Sequence, residues 1–213
     1  MLSPLESNDA RFEIHELHLW RGDRHLLRGV SLALKNGELL QITGPNGVGK
    51  TSLLRCAAGL LPFESGEIRW GGQSVTADRD GYHQQLAYLA HINALKADLS
   101  ALENLQFGVG IRHSLTTEQA HAALQRLQIP HCAELPVRAL SAGQKRRVAI
   151  ARIVLSAAPL WILDEPITNL DAAGIELFQQ VMSEHLEAGG MILTAAHQLL
   201  LQGRPGVDTV ELH

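Results

Sequence analysis

Between an apolar run, ELLQIT (38–43), and a run of helical spacing, TSLLRCAAG (51–59), the chain reads GPNGVGKT (44–51). The match to G-x-x-x-x-G-K-[ST] falls where the chemistry needs it, at the end of a strand and the start of a helix. Its glycines let successive backbone N–H groups turn inward on phosphate oxygens, and the following helix aims its positive end at the same anions. Gly44, Pro45, Asn46, Gly47, Val48, Gly49, Lys50, Thr51 and Ser52 are therefore candidate nucleotide-binding residues. Lys50 would reach the β and γ phosphates, and the Thr51 hydroxyl would face a Mg²⁺ ion.

A metal bound to phosphates wants a carboxylate at the end of a neighbouring strand, and PLWILDEP (159–166) offers one. Four apolar residues bring Asp164 to a sheet edge as the second metal-side residue after Thr51. Glu165 beside it can polarise an attacking water as a general base.

The rest of the chain alternates strands with helices, which indicates an α/β protein with a largely parallel core sheet. FEIHELHLW (12–20) reads as a strand, and RGDRHLL as a turn into a second. VSLALKNGELLQIT (30–43) reads as two strands about Lys35-Asn36-Gly37, because Asn-Gly is a hairpin signal. SGEIRWGGQSV reads as a further hairpin, so an antiparallel portion is expected at the front. From Ser100 to about Ala133 the spacing turns helical, with capping-box spacings at Ser100/Glu103 and again from Thr116 or Thr117. GQKRRVAIARIVL and IELFQQVMSEHLEAGG read as later helices, MILTAA and VDTVEL as the last strands.

Net charge is −4, from 18 Lys and Arg against 22 Asp and Glu, which argues against a nucleic-acid binder held by phosphate contacts. No apolar run approaches the ~18–20 residues of a membrane span. MLSPLESNDARFEIHELHLW carries early acids and no basic stretch before an apolar core, so a secretory signal is not expected. Cys56 and Cys132 lack metal-ligand or disulfide spacing, which fits a reduced compartment.

LSAGQKRRVAIAR (140–152) closely resembles the signature motif of the ATP-binding cassette (ABC) superfamily, LSGGQ followed by a basic helix, with Ala142 in the third place. With GPNGVGKT, WILDEP, TNLD (168–171) and AAHQ (195–198), the motifs stand in family order, and ENLQFG (103–108) is similar to the family's approach to its helical subdomain. The resemblance implies a P-loop NTPase of the ABC nucleotide-binding type, one domain over 1–213. It has a mainly parallel core sheet, an antiparallel β subdomain and a helical subdomain inserted at about 93–157. It also implies ATP and Mg²⁺ as cofactors and a homodimer of cassettes packed head to tail. Ser141, Gly143 and Gln144 of one copy would then cap the nucleotide held by the other. Glu165 and His197 would be the catalytic pair, and Asp171 would couple the two sites across the interface.

YLAHINALKADLSALENLQF, LWILDEP and GGMILTAAHQ are similar, more narrowly, to the ATPase subunits of bacterial haem exporters of cytochrome c maturation. That likeness implies a small transmembrane permease subunit as partner, membrane contact through the partner only, and a place at the cytoplasmic face of the inner membrane. The segment from about Ile92 to Phe107 would receive the partner, with Leu95, Leu99, Leu102 and Phe107 as candidate docking residues. A soluble cassette ATPase acting on DNA or ribosomes is the competing class, and it lacks support from heptads, duplication or a basic tail.

Two positions depart from the superfamily. The aromatic that stacks on adenine falls near Trp20-Arg21, and either the indole or the guanidinium could serve. His91 stands where relatives carry a glutamine. Because Mg²⁺ prefers oxygen, His91 is expected to act through water or as a sensor rather than as a direct ligand.

Overall fold

The computed structural model describes residues 11–110 and 112–213. The reading of the extreme N-terminus as lacking a secretory signal falls largely outside them. Two sheets organise the chain. Strands β1 (Phe12–Arg21), β2 (Arg24–Leu34), β4 (Ser65–Trp70) and β5 (Gln73–Ser74) form an antiparallel sheet in the order β2-β1-β4-β5. Strands β3 (Leu39–Thr43), β6 (Leu86–Leu89), β7 (Leu160–Asp164), β8 (Met191–Ala195) and β9 (Val207–Glu211) form a parallel sheet in the order β6-β7-β8-β3-β9.

Alternation along the parallel strands divides the core into two layers. Leu39, Ala87, Leu89, Trp161, Leu163 and Ile192 face helices α3 (Ala101–Gly110), α4 (Thr117–Arg126), α5 (Ala142–Leu155) and α6 (Ala172–Glu187). Their neighbours Leu40, Leu86, Ile162 and Leu193 face helix α1 (Lys50–Ala57) and the antiparallel sheet. Strands apolar on both faces are what a parallel sheet covered on both sides requires. Cys56 and Cys132 are free thiols, both buried.

The expected hairpin about Asn36-Gly37 does not form. The turn is made, with Gly37 at φ +83 and its N–H on the Gly190 carbonyl at 2.8 Å, but the flanking strands join different sheets. The physical reason lies in the patterns on either side. β2 alternates between buried and partly exposed positions, as a sheet with one covered face needs, whereas β3 is buried at Leu39, Leu40, Gln41 and Ile42 in succession. An alternating strand and one covered on both faces have no common sheet.

Both capping boxes are present. The Ser100 hydroxyl accepts from Glu103 N (3.1 Å) while Glu103 accepts from Ser100 N (2.7 Å), and Thr116, not Thr117, caps α4 with Gln119. Helix α2 (Arg79–Gln85) was not legible in the sequence: Tyr82 is its one buried residue, too few for a period. All helices between β6 and β7 lie on one side of the parallel sheet, and α5 reaches from them to the strand ends.

Candidate nucleotide-binding and hydrolysis site

The C-terminal ends of β3, β7 and β8 converge on a cleft of about 530 Å³ lined by Asn46, Gly47, Gly49, Lys50, Thr51, Ser52, Arg55, Glu165 and His197, together with Arg21, Arg24 and Leu26. The loop after β3 leads directly into α1. Gly49, the N-cap of α1, has φ +119, and a Cβ there would meet Leu27 Cδ2 at 2.8 Å, so only glycine fits. Val48 turns its side chain into the core, and Gly44 and Pro45 contribute their carbonyls. Lys50 Nζ donates to those carbonyls at 2.7 and 3.1 Å and lies almost fully buried.

Thr51 Oγ1 donates to Asp164 Oδ1 at 3.1 Å, joining the start of α1 to the end of β7. Asp164 is 2% exposed, and burial pushes its carboxyl above the usual aspartate range despite the opposing Thr51 bond and the charges of His91, Arg55 and Arg146. A buried carboxylate opposed by its surroundings and touching a hydroxyl is a hard-oxygen donor pair suited to Mg²⁺ held mainly by phosphates and water. Among the described residues no cluster of three His, Cys, Asp or Glu could hold a metal without such a ligand.

Glu165 sits at φ +47, a strained conformation for a non-glycine residue, and its N–H is held by the Ala195 carbonyl at 2.8 Å. His197 Nε2 stands 3.5 Å from Glu165 Oε1. Two buried side chains that motif reading missed position this pair. Gln41, mid-strand in β3, donates to the carbonyls of Ala196 (3.1 Å) and Gln198 (2.8 Å) and accepts from Leu200 N (3.0 Å), so it holds the loop on both sides of His197. A lone amide inside the apolar run LLQIT was the available signal.

Arg146 of α5 is the second. At 1% exposure, its guanidinium donates to the carbonyls of Asp164 (3.1 Å), Glu165 (2.6 Å) and Pro166 (2.9 Å). It also donates to Ala90 O (2.8 Å) and Asn93 Oδ1 (2.9 Å), on either side of His91. Burial lowers its pKa to about 10, against the opposing pull of the Asp164 and Glu165 charges. One side chain thus clamps the loops after β6 and after β7. Arg152, a turn and a half further on, donates to the carbonyls of Asn93 and Ala94.

Most of the remaining candidates fall outside this cleft. Ser141 caps α5, sharing a reciprocal bond pair with Gln144 (3.2 and 2.8 Å), and lies outside the lining. A Cβ on Gly143 would meet Asn169 O at 2.9 Å, so glycine permits α5 to pack against TNLD. Asp171 caps α6 through Gly174 N (2.9 Å), and Arg147 donates to it at 2.8 Å. His91 is exposed, beyond the end of β6, outside the lining but within the field of Asp164. Arg21 lines the cleft and Trp20 does not. Of the expected docking residues, Leu95 and Leu102 pack against the core and Leu99 is partly buried, whereas Phe107 is exposed beneath Lys96 Nζ (4.4 Å) and Ile92 is 79% exposed.

A strand-loop-helix phosphate cradle, a Thr51 hydroxyl bonded to the buried Asp164 and a polar cap on α5 in one α/β fold define an ATP-binding cassette. The ABC transporter family model matches residues 27–168, and the chain belongs to that family. Its curated relatives include a cytochrome c biogenesis ATP-binding export protein, CcmA 2, of Cupriavidus metallidurans, 45% identical over 193 residues, 90% of this chain and 92% of the relative. CcmA of Escherichia coli O157:H7 is 44% identical over 188 residues, 88% of this chain and 89% of the relative. Among solved structures, a putative ABC transporter ATP-binding protein from Pyrococcus furiosus superposes with a TM-score of 0.82 at 23% identity, over 95% of this chain and 97% of that one.

Proposed function

We propose that this chain is the ATP-hydrolysing subunit of an ABC exporter serving cytochrome c maturation, a haem exporter, acting on a separate CcmB-like transmembrane subunit. The relatives named as cytochrome c biogenesis export proteins over nearly the whole chain support the biological assignment. The Thr51–Asp164 pair at 3.1 Å, with Glu165 and His197 on the same cleft, is the observation that carries the chemistry.

In this reading the loop from Gly44 to Ser52 binds the triphosphate of ATP, and Lys50 leaves the Gly44 and Pro45 carbonyls to meet it. Thr51 and Asp164 would hold Mg²⁺, which would neutralise charge developing on the phosphates. Glu165 takes a proton from the attacking water, and His197, 3.5 Å from it, contacts the γ-phosphate. Ser141, Gly143 and Gln144, remote from their own cleft, cap the nucleotide of a second copy in a homodimer, with the start of α5 as an anion site. Asp171 communicates across that interface. His91 acts through water, or as a sensor between nucleotide and permease.

The chain works as one domain with the helices of about 93–157 as an insert, and Ile92 and Phe107 contribute to the permease contact. No described helix is long and apolar enough to cross a membrane, which is compatible with peripheral attachment at the cytoplasmic face of the inner membrane through the partner. The test is affinity purification from detergent-solubilised membranes with assay of Mg²⁺-dependent ATP hydrolysis. Co-purification of a small permease with hydrolysis is expected. Recovery of DNA or ribosomes with no membrane protein would overturn the assignment.

A further inference from the structure

Among the described residues, three buried side-chain polar atoms have no hydrogen-bond partner: Trp161 Nε1, His185 Nε2 and Tyr88 Oη. The first two belong to one stacked pair between β7 and α6. Tyr88 stands elsewhere, near the C-terminal end of β6. A buried hydroxyl left unpaired opposes folding, and phenylalanine would fill the same apolar place without that cost. The hydroxyl therefore points to a partner that arrives with a ligand.

Strand register shows which ligand. Tyr88 pairs with Ile162 across β6 and β7, and Asp164 follows two residues further along β7. Side chains alternate with period two, so Tyr88, Ile162 and Asp164 share the face that packs on α1. Arg55 comes from that helix, one turn after Thr51, and lines the cleft. Its charge acts on both Tyr88 and Asp164. Thr51, Asp164, Arg55 and Tyr88 thus meet between α1 and the end of β7, with Tyr88 behind the cleft lining rather than in it.

We propose that Tyr88 is a positioning residue of the metal site: its hydroxyl bonds a water held between Asp164 and the ion, and so sets the affinity of the cleft for Mg²⁺. The proposal rests on the reading that Thr51 and Asp164 would hold that ion. Mg²⁺ demands near-octahedral oxygen ligands and keeps several waters, so few of its positions fall to protein groups. Waters on a cation are donors, and acceptors beyond the ligands orient them. The neighbouring Arg55 and Arg146 only donate. Tyr88 can accept from such a water and donate to the Asp164 carboxylate. Burial and then the Asp164 charge push the phenol's pKa up against the pull of Arg55, so the proton for that second bond stays on Oη.

Tyr88→Phe in the full chain tests this, with Mn²⁺ as the probe ion, titrated into the ADP-saturated protein and followed by electron paramagnetic resonance. Mn²⁺ affinity should fall by about tenfold, while ATP binding in EDTA changes by less than about twofold. The Mg²⁺ concentration giving half-maximal hydrolysis should rise by about tenfold, with the rate at saturating Mg²⁺ lowered by less than about threefold. The chain without metal or nucleotide should melt at or above the wild-type temperature, because no bond is lost there. Tyr82→Phe is the contrast. Tyr82 Oη donates to Ala57 O at 2.6 Å, so that variant should melt lower and keep its Mn²⁺ affinity. An unchanged Mn²⁺ affinity in Tyr88→Phe, an equal loss of ATP binding in EDTA, or a melting temperature lowered as in Tyr82→Phe would each overturn the role. Failure of the wild-type ADP complex to bind Mn²⁺ would instead remove the metal reading on which it stands.

Discussion

Nη2 of Arg146 lies 2.6 Å from the main-chain oxygen of Glu165, so the helix that begins at the signature motif holds the residue proposed to activate water. The same guanidinium bonds Ala90 and Asn93 beside His91, which makes α5 a mechanical link between the loop proposed to meet the permease and the loop that carries Glu165. Helical phase on α5 divides the work of its arginines. Arg146 turns inward to the strand ends, while Arg147 turns outward to Asp171.

Arg146→Gln should lower ATP turnover by about 10- to 100-fold while leaving the dissociation constant for ATP nearly unchanged, because Arg146 positions Glu165 and touches no nucleotide. The carbonyls it leaves unpaired should cost about 2–4 kcal/mol of stability, read by urea titration. Arg146→Lys should not rescue turnover, since an ammonium cannot span the two loops as a fork does. Full activity in either variant would remove the positioning role.

Asp164→Asn should raise the melting temperature at pH 7–8 in the absence of Mg²⁺ while abolishing hydrolysis. The folded carboxyl titrates above its unfolded range because of burial, so the folded state binds its proton more tightly and ionisation at neutral pH opposes folding. That cost is relieved as pH falls, and the gap between variant and wild type should narrow on acidification. Mg²⁺ with ATP should stabilise wild type more than the variant. Scanning calorimetry across pH checks both statements, and a lowered melting temperature at pH 8 would show that the carboxylate is compensated.

Glu165→Gln should keep the backbone conformation and the bond from its own N–H to the Ala195 carbonyl but remove the base. Hydrolysis should fall by at least about 100-fold, while ATP drives accumulation of a dimer visible by light scattering. Turnover close to wild type would assign the base elsewhere.

His185 stacks on Trp161 with ring centres 3.8 Å apart and planes within 9°, tying α6 to β7. Desolvation lowers its pKa from 6.5 to about 4. The unfolded chain takes up the proton first as pH falls, so stability should be lost between about pH 6.5 and 4. In His185→Phe the ring remains and the proton does not, so the slope of melting temperature against pH in that window should flatten, whatever the absolute melting temperature. An unchanged slope would place the acid sensitivity in other groups.

Much of the site was legible because each motif is local. The phosphate loop needs only a strand end, glycines and a helix start, and GPNGVGKT between ELLQIT and TSLLRCAAG states all three. Asp164 follows from an apolar strand of fixed length, and the caps at Ser100 and at Thr116 or Thr117 follow from spacing within one turn, with the structure choosing Thr116 and adding Ser141. Residues acting across long sequence separations left weaker traces. Gln41 holds a loop over 150 residues away, and Arg146 looked like one of several surface cations on a basic helix.

The sequence by itself determined the α/β class, the phosphate cradle, the carboxylate pair and the family, because these depend on residue type and short spacing. Only the tertiary structure decided that β2 and β3 part into different sheets, that Arg146 is buried as a clamp, and that Arg21 rather than Trp20 faces the cleft. Each depends on which face of an element is covered, and coverage is settled by packing between segments distant in the chain.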